Sequence, residues 1–434
     1  MTVLSVPAEL TSACAHVLPG GPADAVAGAP ARFVAAPAST AEAAAVLQAA
    51  AALGLTVVPR GTGSRLAWGL SPDSCDLVID TGNLDQILEH TAGDLVVSVQ
   101  AGVRLDDLAS LLAAAGQRLA VDPPDHGGTI GGLIATGAAG PLRYRYGSPR
   151  DLLIGITVVR ADGTIAKAGG KVVKNVAGYD IGKLFAGSFG TLGLITEATF
   201  RLHPLPESTA WLTVDCPDPA SAAVAVQTIA DSPVTPSAIE LVWPSAAAPL
   251  TVAALLEGDR PSVAGRADRL RQLLERATAG LAGADAGAAG EAFRVLSPSS
   301  DGRRRPGTWV RVAFWTGKLA DVLGAIRAAA ESAGLDPAIT GSAGAGVLDV
   351  AVSEEAVADA VAGFVAGLRA SLGALSDGTV LPATASAVVL DAPRAVRDAV
   401  DMWGPVQSLE LMRAVKEQFD PEHRMAPGRL PGGI

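Results

Sequence analysis

Val57-Val58-Pro59-Arg60-Gly61-Thr62-Gly63-Ser64 is the stretch on which the reading of this 434-residue chain turns. Thr56-Val57-Val58 reads as a short buried strand that ends in a Gly-x-Gly loop. Glycine lets the backbone approach a ligand closely and adopt φ > 0, so that successive N–H groups point into one anion-binding nest. A loop of this kind after a strand suits a pyrophosphate, with the Thr62 and Ser64 hydroxyls as further donors. Two more stretches are dense in glycine, Gly127–Gly140 and Gly187–Gly193. Taken singly, each of the three is better read as an ordinary tight turn in a chain with 49 Gly. The nicotinamide dinucleotide fingerprint fails, because Leu66 stands where a third small residue is needed and no helix opens there. Gly127-Gly128-Thr129-Ile130-Gly131-Gly132 is followed by no lysine of the P-loop kind.

Outward from this loop, Ser39-Thr40-Ala41-Glu42 reads as a capping box in front of an Ala-rich helix that stops at Gly54. Strands are expected at Asp76–Asp80 and Asp94–Gln100, and a helix from Leu105 to Ala115. A hairpin is expected over Ile154–Lys167, turning at Ala161-Asp162-Gly163, then a strand over Leu194–Leu202. His203-Pro204-Leu205-Pro206 reads as a linker. Beyond it come a strand at Ala210–Asp215, a helix at Ala220–Ala230, strands at Ala238–Val242 and Leu250–Leu256 and a helix at Val263–Ala277. The series starts again with a strand at Trp309–Trp315, a helix at Leu319–Ala333, a strand at Leu348–Val352 and a helix at Glu354–Leu372. This suggests a duplicated α+β layer on one antiparallel sheet. A last amphipathic helix is expected at Val406–Gln418, before an extended end.

Composition excludes several classes. Hydrophobic types make up 49% and charged types 18% of the chain, so it is not a disordered protein. The net charge of −11 and the lack of a concentrated basic patch argue against nucleic-acid binding. No run of about 20 apolar residues escapes a charge or a Pro/Gly break, and Met1–Leu10 has no basic residue of the signal-peptide kind. Cys14, Cys75 and Cys216 are far apart and form no C-x-x-C pair, so they are expected to be inert thiols in a reducing compartment. A cytoplasmic protein is expected, reaching a membrane only through partners.

Together the three glycine clusters resemble those of the flavoproteins of the vanillyl-alcohol oxidase / p-cresol methylhydroxylase superfamily. The matching segments are Val57–Ser64, Gly128-Thr129-Ile130-Gly131-Gly132-Leu133-Ile134-Ala135-Thr136-Gly137 and Gly187-Ser188-Phe189-Gly190-Thr191-Leu192-Gly193-Leu194-Ile195-Thr196-Glu197, and Asp420-Pro421 with Pro427-Gly428 is similar to the usual ending. The resemblance implies an α+β fold: a two-lobed PCMH-type FAD-binding domain over residues 30–206 and an α+β cap domain with an antiparallel sheet over 207–400. Residues 1–29 would form an N-terminal segment, and 401–434 would return to the first domain. It implies that the first loop holds the pyrophosphate of FAD, that the second packs near the isoalloxazine and that the third lies along the adenosine side. The implied cofactor-binding residues are Arg60, Gly61, Thr62, Gly63, Ser64, Asp122, Pro123, Thr129, Ile130, Gly131, Gly132, Thr136, Gly137, Gly190, Thr191, Leu192, Gly193 and Ile195.

Within the superfamily, Gly169-Gly170-Lys171-Val172-Val173-Lys174-Asn175-Val176-Ala177-Gly178-Tyr179-Asp180 with Lys183-Leu184-Phe185 is similar to a stretch shared by the D and E flavin subunits of bacterial glycolate oxidase. Phe189, where D-type chains usually carry Glu, resembles the E type, as do Asp122-Pro123-Pro124-Asp125-His126 and Gly140-Pro141-Leu142-Arg143. The resemblance implies a complex with a D-type flavin subunit and an iron–sulfur subunit, oxidising a small 2-hydroxy acid. The Lys171–Asp180 segment is equally well read as a helix start or as a partner contact. Ser64 stands about where relatives with covalent flavin carry His, so non-covalent FAD is expected.

Oxidising a 2-hydroxy acid needs a base for the hydroxyl proton and a cation for the carboxylate. D-type enzymes meet this with a His-rich metal-binding segment in the second domain. The five histidines here are His16, His90, His126, His203 and His423, and none falls between residues 207 and 400. Gly341-Ser342-Ala343-Gly344-Ala345-Gly346-Val347-Leu348-Asp349 stands where that segment would be, and it cannot ligate a divalent metal in that way. No metal site is expected and no catalytic residue is assigned. His126 reads better as a loop histidine than as a base, Arg143 and Arg145 as solvated arginines rather than a carboxylate grip, and Arg303-Arg304-Arg305 as a solvated loop rather than a docking patch. An autonomous FAD oxidoreductase and a non-catalytic assembly subunit remain as alternatives.

Overall fold

The computed structural model describes residues 5–123, 127–171, 180–277, 285–286, 306–375 and 385–434. Pro124, Asp125, His126, the Val172–Tyr179 part of the long motif and Arg303-Arg304-Arg305 lie outside the described residues. The chain forms two compact units. The first comprises Met1–Ala138, Ser148–Leu205 and Val406–Ile434, the second Ala139–Gly147 and Pro206–Pro405. Ala139–Gly147 and residues 401–405 thus pack with the second unit, whereas the boundaries expected above placed them elsewhere, and residues 5–29 pack with the first.

The first unit contains two main sheets. One has the strand order Val17–Pro19, Phe33–Ala35, Leu77–Asp80, Val57–Arg60. Its last three strands pair in parallel, which requires a crossover, and the Thr40–Ala52 helix supplies it. Ser39 caps that helix, its Oγ accepting from the Glu42 amide at 3.1 Å. The reciprocal half of the capping box is absent: the Glu42 carboxylate accepts instead from the amides of Ala15 and Ala38, at 3.0 and 2.8 Å. The helix buries Ala43, Val46, Leu47 and Ala50 in a core shared with Phe33, Val57, Leu77 and Ile79. The second sheet is antiparallel, in the order Ile87–Thr91, Val96–Gln100, Leu194–Arg201, Leu153–Val159, Ile165–Gly169. His203-Pro204, expected in a linker, pairs with Gln117-Arg118 before the chain leaves this unit.

The C-terminal segment belongs to the first unit. Val57 donates to the Arg424 carbonyl at 2.8 Å and accepts from the Ala426 amide at 2.7 Å, so the chain end pairs alongside the strand that feeds the glycine loop. Lys416, on the helix Leu409–Phe419, is fully buried. Its Nζ donates to Asp420 Oδ2 at 2.6 Å and to the carbonyls of Thr191 and Met425 at 2.8 and 2.9 Å. Asp420 in turn accepts from the amides of Arg424 and Met425. A buried ion pair with every partner in place fixes geometry more than it adds stability.

The second unit contains the duplicated pattern. Strand Ser208–Cys216, helix Pro219–Ala230, strands Ala238–Trp243 and Leu250–Gly258 and helix Arg260–Ala277 form one half. Strand Gly307–Phe314, helix Leu319–Ser332, strands Ala338–Gly341 and Val347–Ser353 and helix Ala358–Ala374 form the other. Both halves join one antiparallel sheet, meeting where Leu241 pairs with Gly341, and the strand Ala385–Asp391 closes one edge. Asp218 caps the first helix at 2.7 Å from the Ser221 amide, and Pro219 sits at its first position. The helix buries Ala222, Ala225, Val226 and Ile229, one face at helical spacing.

Candidate functional site

The Val57–Arg60 strand delivers the first glycine loop to an open cleft in the first unit. Arg60, Gly61, Thr62, Gly63 and Ser64 line it together with Thr129, Gly132, Thr136 and Gly190. Gly131, Gly193 and Ile195 line an adjoining recess that shares Arg60, Gly61 and Gly190 with the cleft. Parts of all three glycine clusters therefore meet at one place.

The local causes can be traced residue by residue. A Cβ on Gly61 would lie 2.2 Å from Thr129 Oγ1, so the bare glycine is what lets the first loop close on the second. Gly190 has φ +78°, and a Cβ there would lie 3.0 Å from Pro59 Cδ, which seats the third loop on the same strand. Thr129 Oγ1 also caps the short helix Ile130–Thr136, accepting from the Gly132 amide at 3.3 Å. Thr62 and Ser64 are exposed, so their hydroxyls are open to a ligand.

The side chain of Arg60 is engaged within the protein. Its guanidinium is held by Asp80, at 3.1 Å from Nε and 2.8 Å from Nη2, and by Asp24 at 2.8 Å. The two carboxylates tie the Arg60 side chain at the start of the loop. The Gly21 amide, with the Arg60 guanidinium second, holds the Asp24 carboxyl below the usual carboxylate range. Other expected residues sit elsewhere. Ile130 and Leu192 are buried, and Thr191 is enclosed, its hydroxyl donating to the Ser188 carbonyl at 2.7 Å while its carbonyl receives Lys416. Asp122, Pro123 and Gly137 are not among the residues lining either recess.

Seven lining residues were not among the expected cofactor-binding residues: Val58, Pro59, Arg65, Leu66, Ala135, Phe189 and Arg429. Arg65 directly follows the motif, and Arg429 follows the Pro427-Gly428 ending, so a cation beside each was the available signal. Phe189 stands at φ +53°, a region costly for a residue with a side chain, and its amide donates to the Ala135 carbonyl at 2.8 Å.

Arg143 and Arg145 do not belong to this unit. They lie in the second unit, where Arg143 donates to the Ala139 carbonyl, and Arg145 reaches the Thr235 carbonyl at 3.4 Å and stacks on Tyr146. Tyr146 in turn donates to Glu257 at 2.9 Å. The Gly341–Asp349 segment makes a tight strand connection, and a Cβ on Gly344 would lie 2.9 Å from the Tyr144 ring. All three cysteines are buried; burial pushes the Cys75 thiol up to about 11 and that of Cys216 to about 12.

Parts of the chain match known families. Residues 31–169 match the family described as "FAD binding domain", and residues 399–430 match "FAD linked oxidases, C-terminal domain". Glycolate oxidase subunit GlcD of Bacillus subtilis is 37% identical over 210 residues, 48% of this chain and 45% of that protein. Subunit GlcE of Escherichia coli is 39% identical over 124 residues, 28% of this chain and 35% of that protein. A D-lactate dehydrogenase of Anaerostipes hadrus is 36% identical over 170 residues, covering 39% and 36% of the two chains. These matches span less than half the length of each relative. GlcD gives the longer match of the two glycolate oxidase subunits, so likeness does not single out the E type. The fold is that of p-cresol methylhydroxylase, with a TM-score of 0.76 at 16% identity over 97% of this chain and 95% of that one.

FAD is the cofactor of this domain, and the donor set fits it. The cleft offers glycine backbone, the hydroxyls of Thr62 and Ser64 and the arginines Arg65 and Arg429, while none of its described lining residues is Asp or Glu. That chemistry suits a doubly anionic pyrophosphate. Among the described residues, no helix is long and apolar enough to cross a membrane.

Proposed function

We propose that this chain holds FAD non-covalently as a flavin subunit of a glycolate oxidase-type assembly that oxidises a small 2-hydroxy acid, glycolate or D-lactate. In this reading it is the E-type subunit, working beside a D-type flavin subunit and passing electrons to an iron–sulfur subunit. Bound FAD supplies the two-electron acceptor that such an oxidation requires. The chain's own residues hold and orient it: the Gly61–Ser64 loop receives the phosphates, and Thr129 and Gly190 fix that loop from two sides. Arg60 does so indirectly, through Asp24 and Asp80.

The observation that carries the cofactor role is the meeting of the three glycine clusters at one cleft. The relay role is supported by the second unit. No histidine stands between residues 207 and 400, and the segment where a metal-binding run would be expected is spent on packing against Tyr144. Phe189 in the cleft, in place of a carboxylate, points the same way. A second reading, an autonomous FAD oxidoreductase, is favoured by the long match to subunit GlcD and the match to a D-lactate dehydrogenase.

An anaerobic absorbance spectrum of the chain purified alone separates the two, taken before and after adding glycolate or D-lactate. A yellow protein that stays oxidised is the expected result. Bleaching by either acid would establish an active site in this chain and overturn the relay role. A protein that takes up no flavin when FAD is supplied would overturn the cofactor assignment as well.

A further inference from the structure

The third glycine cluster holds one residue that its backbone does not suit. Gly187, Gly190 and Gly193 stand at φ +81°, +78° and +150°, a region that glycine enters without steric cost. Phe189 stands among them at φ +53°, where a bulky side chain is strained. A glycine at this position would remove the strain, and the neighbouring positions show that the run accepts glycine. The Phe189 amide donates to the Ala135 carbonyl at 2.8 Å, which anchors the residue to the second glycine cluster. A glycine would make that bond equally well, so it does not account for a phenylalanine. Phe185, four residues earlier, shows a phenylalanine used for packing in the same stretch. It is 1% exposed and meets Phe419 edge-on, the ring centres 5.5 Å apart. Phe189 is half-buried and lines the FAD cleft together with Ala135, Thr136 and Gly190. Strain kept beside a cleft, where a strain-free residue would fit, points to a use for the side chain.

We propose that the Phe189 ring is a cofactor contact and packs against a planar ring system of FAD, the isoalloxazine or the adenine. This rests on the assignment of the cleft to FAD and adds to it an aromatic side chain that the glycine motifs do not supply. Offset or edge-on contact between aromatic rings adds to the gain from burying their surface. The cost of the strained backbone is carried with or without the cofactor, whereas the gain from the ring comes only with the cofactor bound. Phe189 therefore trades stability of the flavin-free protein for affinity.

The test uses the full chain stripped of flavin, with FAD and ADP as probes, binding being followed by flavin fluorescence and by the rise in melting temperature. Without ligand, Phe189→Gly should melt at least as high as the wild type, gaining up to about 2–4 °C. It should bind FAD about three- to tenfold more weakly, as expected for loss of an aromatic contact. Phe189→Leu keeps the strain and much of the bulk but not the ring, and it should also bind FAD more weakly. ADP carries the adenine without the isoalloxazine and so tells the two rings apart. A loss of ADP affinity equal to that for FAD places the contact at the adenine. Unchanged ADP affinity places it at the isoalloxazine, and the visible absorption band of the bound flavin should then shift in the variants. Either variant with wild-type affinity for FAD would overturn the proposal. So would a flavin-free Phe189→Gly chain that melts below the wild type, since the ring would then serve the protein's own packing. If the wild type takes up FAD and the variants give either of those results, the cofactor assignment stands and only Phe189 is removed from it. A wild type that binds neither probe removes both.

Discussion

Two glycine-rich turns in this molecule use the same residue to opposite ends. In the first unit, Gly61 lets one loop close on the Thr129 hydroxyl and leaves backbone and hydroxyls facing a cleft. In the second, Gly341, Gly344 and Gly346 let the chain fold onto itself. A Cβ at Gly346 would lie 2.1 Å from the Phe314 carbonyl oxygen, one at Gly341 2.6 Å from that of Val347, and one at Gly344 2.9 Å from the Tyr144 ring. Glycine density therefore does not mark a site. What marks it is whether the neighbours brought close are ligand donors or packing groups.

The largest effect should come from the tie that holds the first turn in place. Lys416→Met leaves the Asp420 carboxylate buried without its cation, and breaking a buried pair on one side costs about 3–5 kcal/mol. Chemical denaturation should show that loss. Because Lys416 also holds the Thr191 carbonyl beside the third glycine cluster, flavin content should fall too. A variant with unchanged stability would mean that the C-terminal segment is not what braces the cleft.

Gly346→Ala and Gly61→Ala then test the comparison directly. At Gly346 the new methyl meets backbone in a left-handed conformation (φ +68°), and about 1–3 kcal/mol of stability should be lost. The folded variant should hold as much FAD per chain as the wild type. At Gly61 the new methyl meets the Thr129 side chain first, so the substitution costs stability as well as FAD, and the loop does not simply lose access to the pyrophosphate. Thr129→Ala alone should cost about 1 kcal/mol through the lost cap. The double variant Gly61→Ala/Thr129→Ala should lose less than the two single losses added, because the closest contacts, with Thr129 Oγ1 and Cγ2, have gone and only its Cβ at 3.2 Å remains. Strict additivity would show that the two residues do not meet.

The sequence carried the first turn better than its surroundings. Ser39 and Gly54 marked their helix because a cap and a C-terminal glycine are local signals. The duplicated halves of the second unit were visible because each strand and helix is long enough to show its own period. Shorter pieces were not: Phe33–Ala35 is three residues whose partner, Leu77–Asp80, lies far along the chain, and Ala338–Gly341 and Ala385–Asp391 have too few bulky residues to announce a strand. In the site, the glycine and threonine walls followed from the motif. Arg429 did not, because its bond to Trp68 spans 361 residues and nothing local encodes it. Nor did the capture of Arg60 by Asp24 and Asp80, which makes its side chain a brace.

That brace gives the smallest and most specific expectation. The Gly21 amide and the Arg60 guanidinium both favour ionised Asp24, so its carboxyl titrates below its unfolded value of about 3.9. A depressed folded-state value means that the contribution is fully present above the unfolded value and is lost as pH falls through the folded one. Flavin retention should therefore hold steady from neutral pH down to about pH 4 and decline slightly below it as Asp24 lets go of Arg60 while Asp80 keeps its hold. Asp24→Asn removes the charge at every pH but keeps the shape. It should weaken FAD only slightly near neutrality, since Asp80 still holds Arg60, and should flatten the acid limb of the retention curve measured by flavin fluorescence. An acid limb identical in variant and wild type would assign the loss to other carboxylates. In that case Arg60 would be fixed by Asp80 alone, and the loop beside the cleft would owe its position to the strand rather than to both sides of the ion pair.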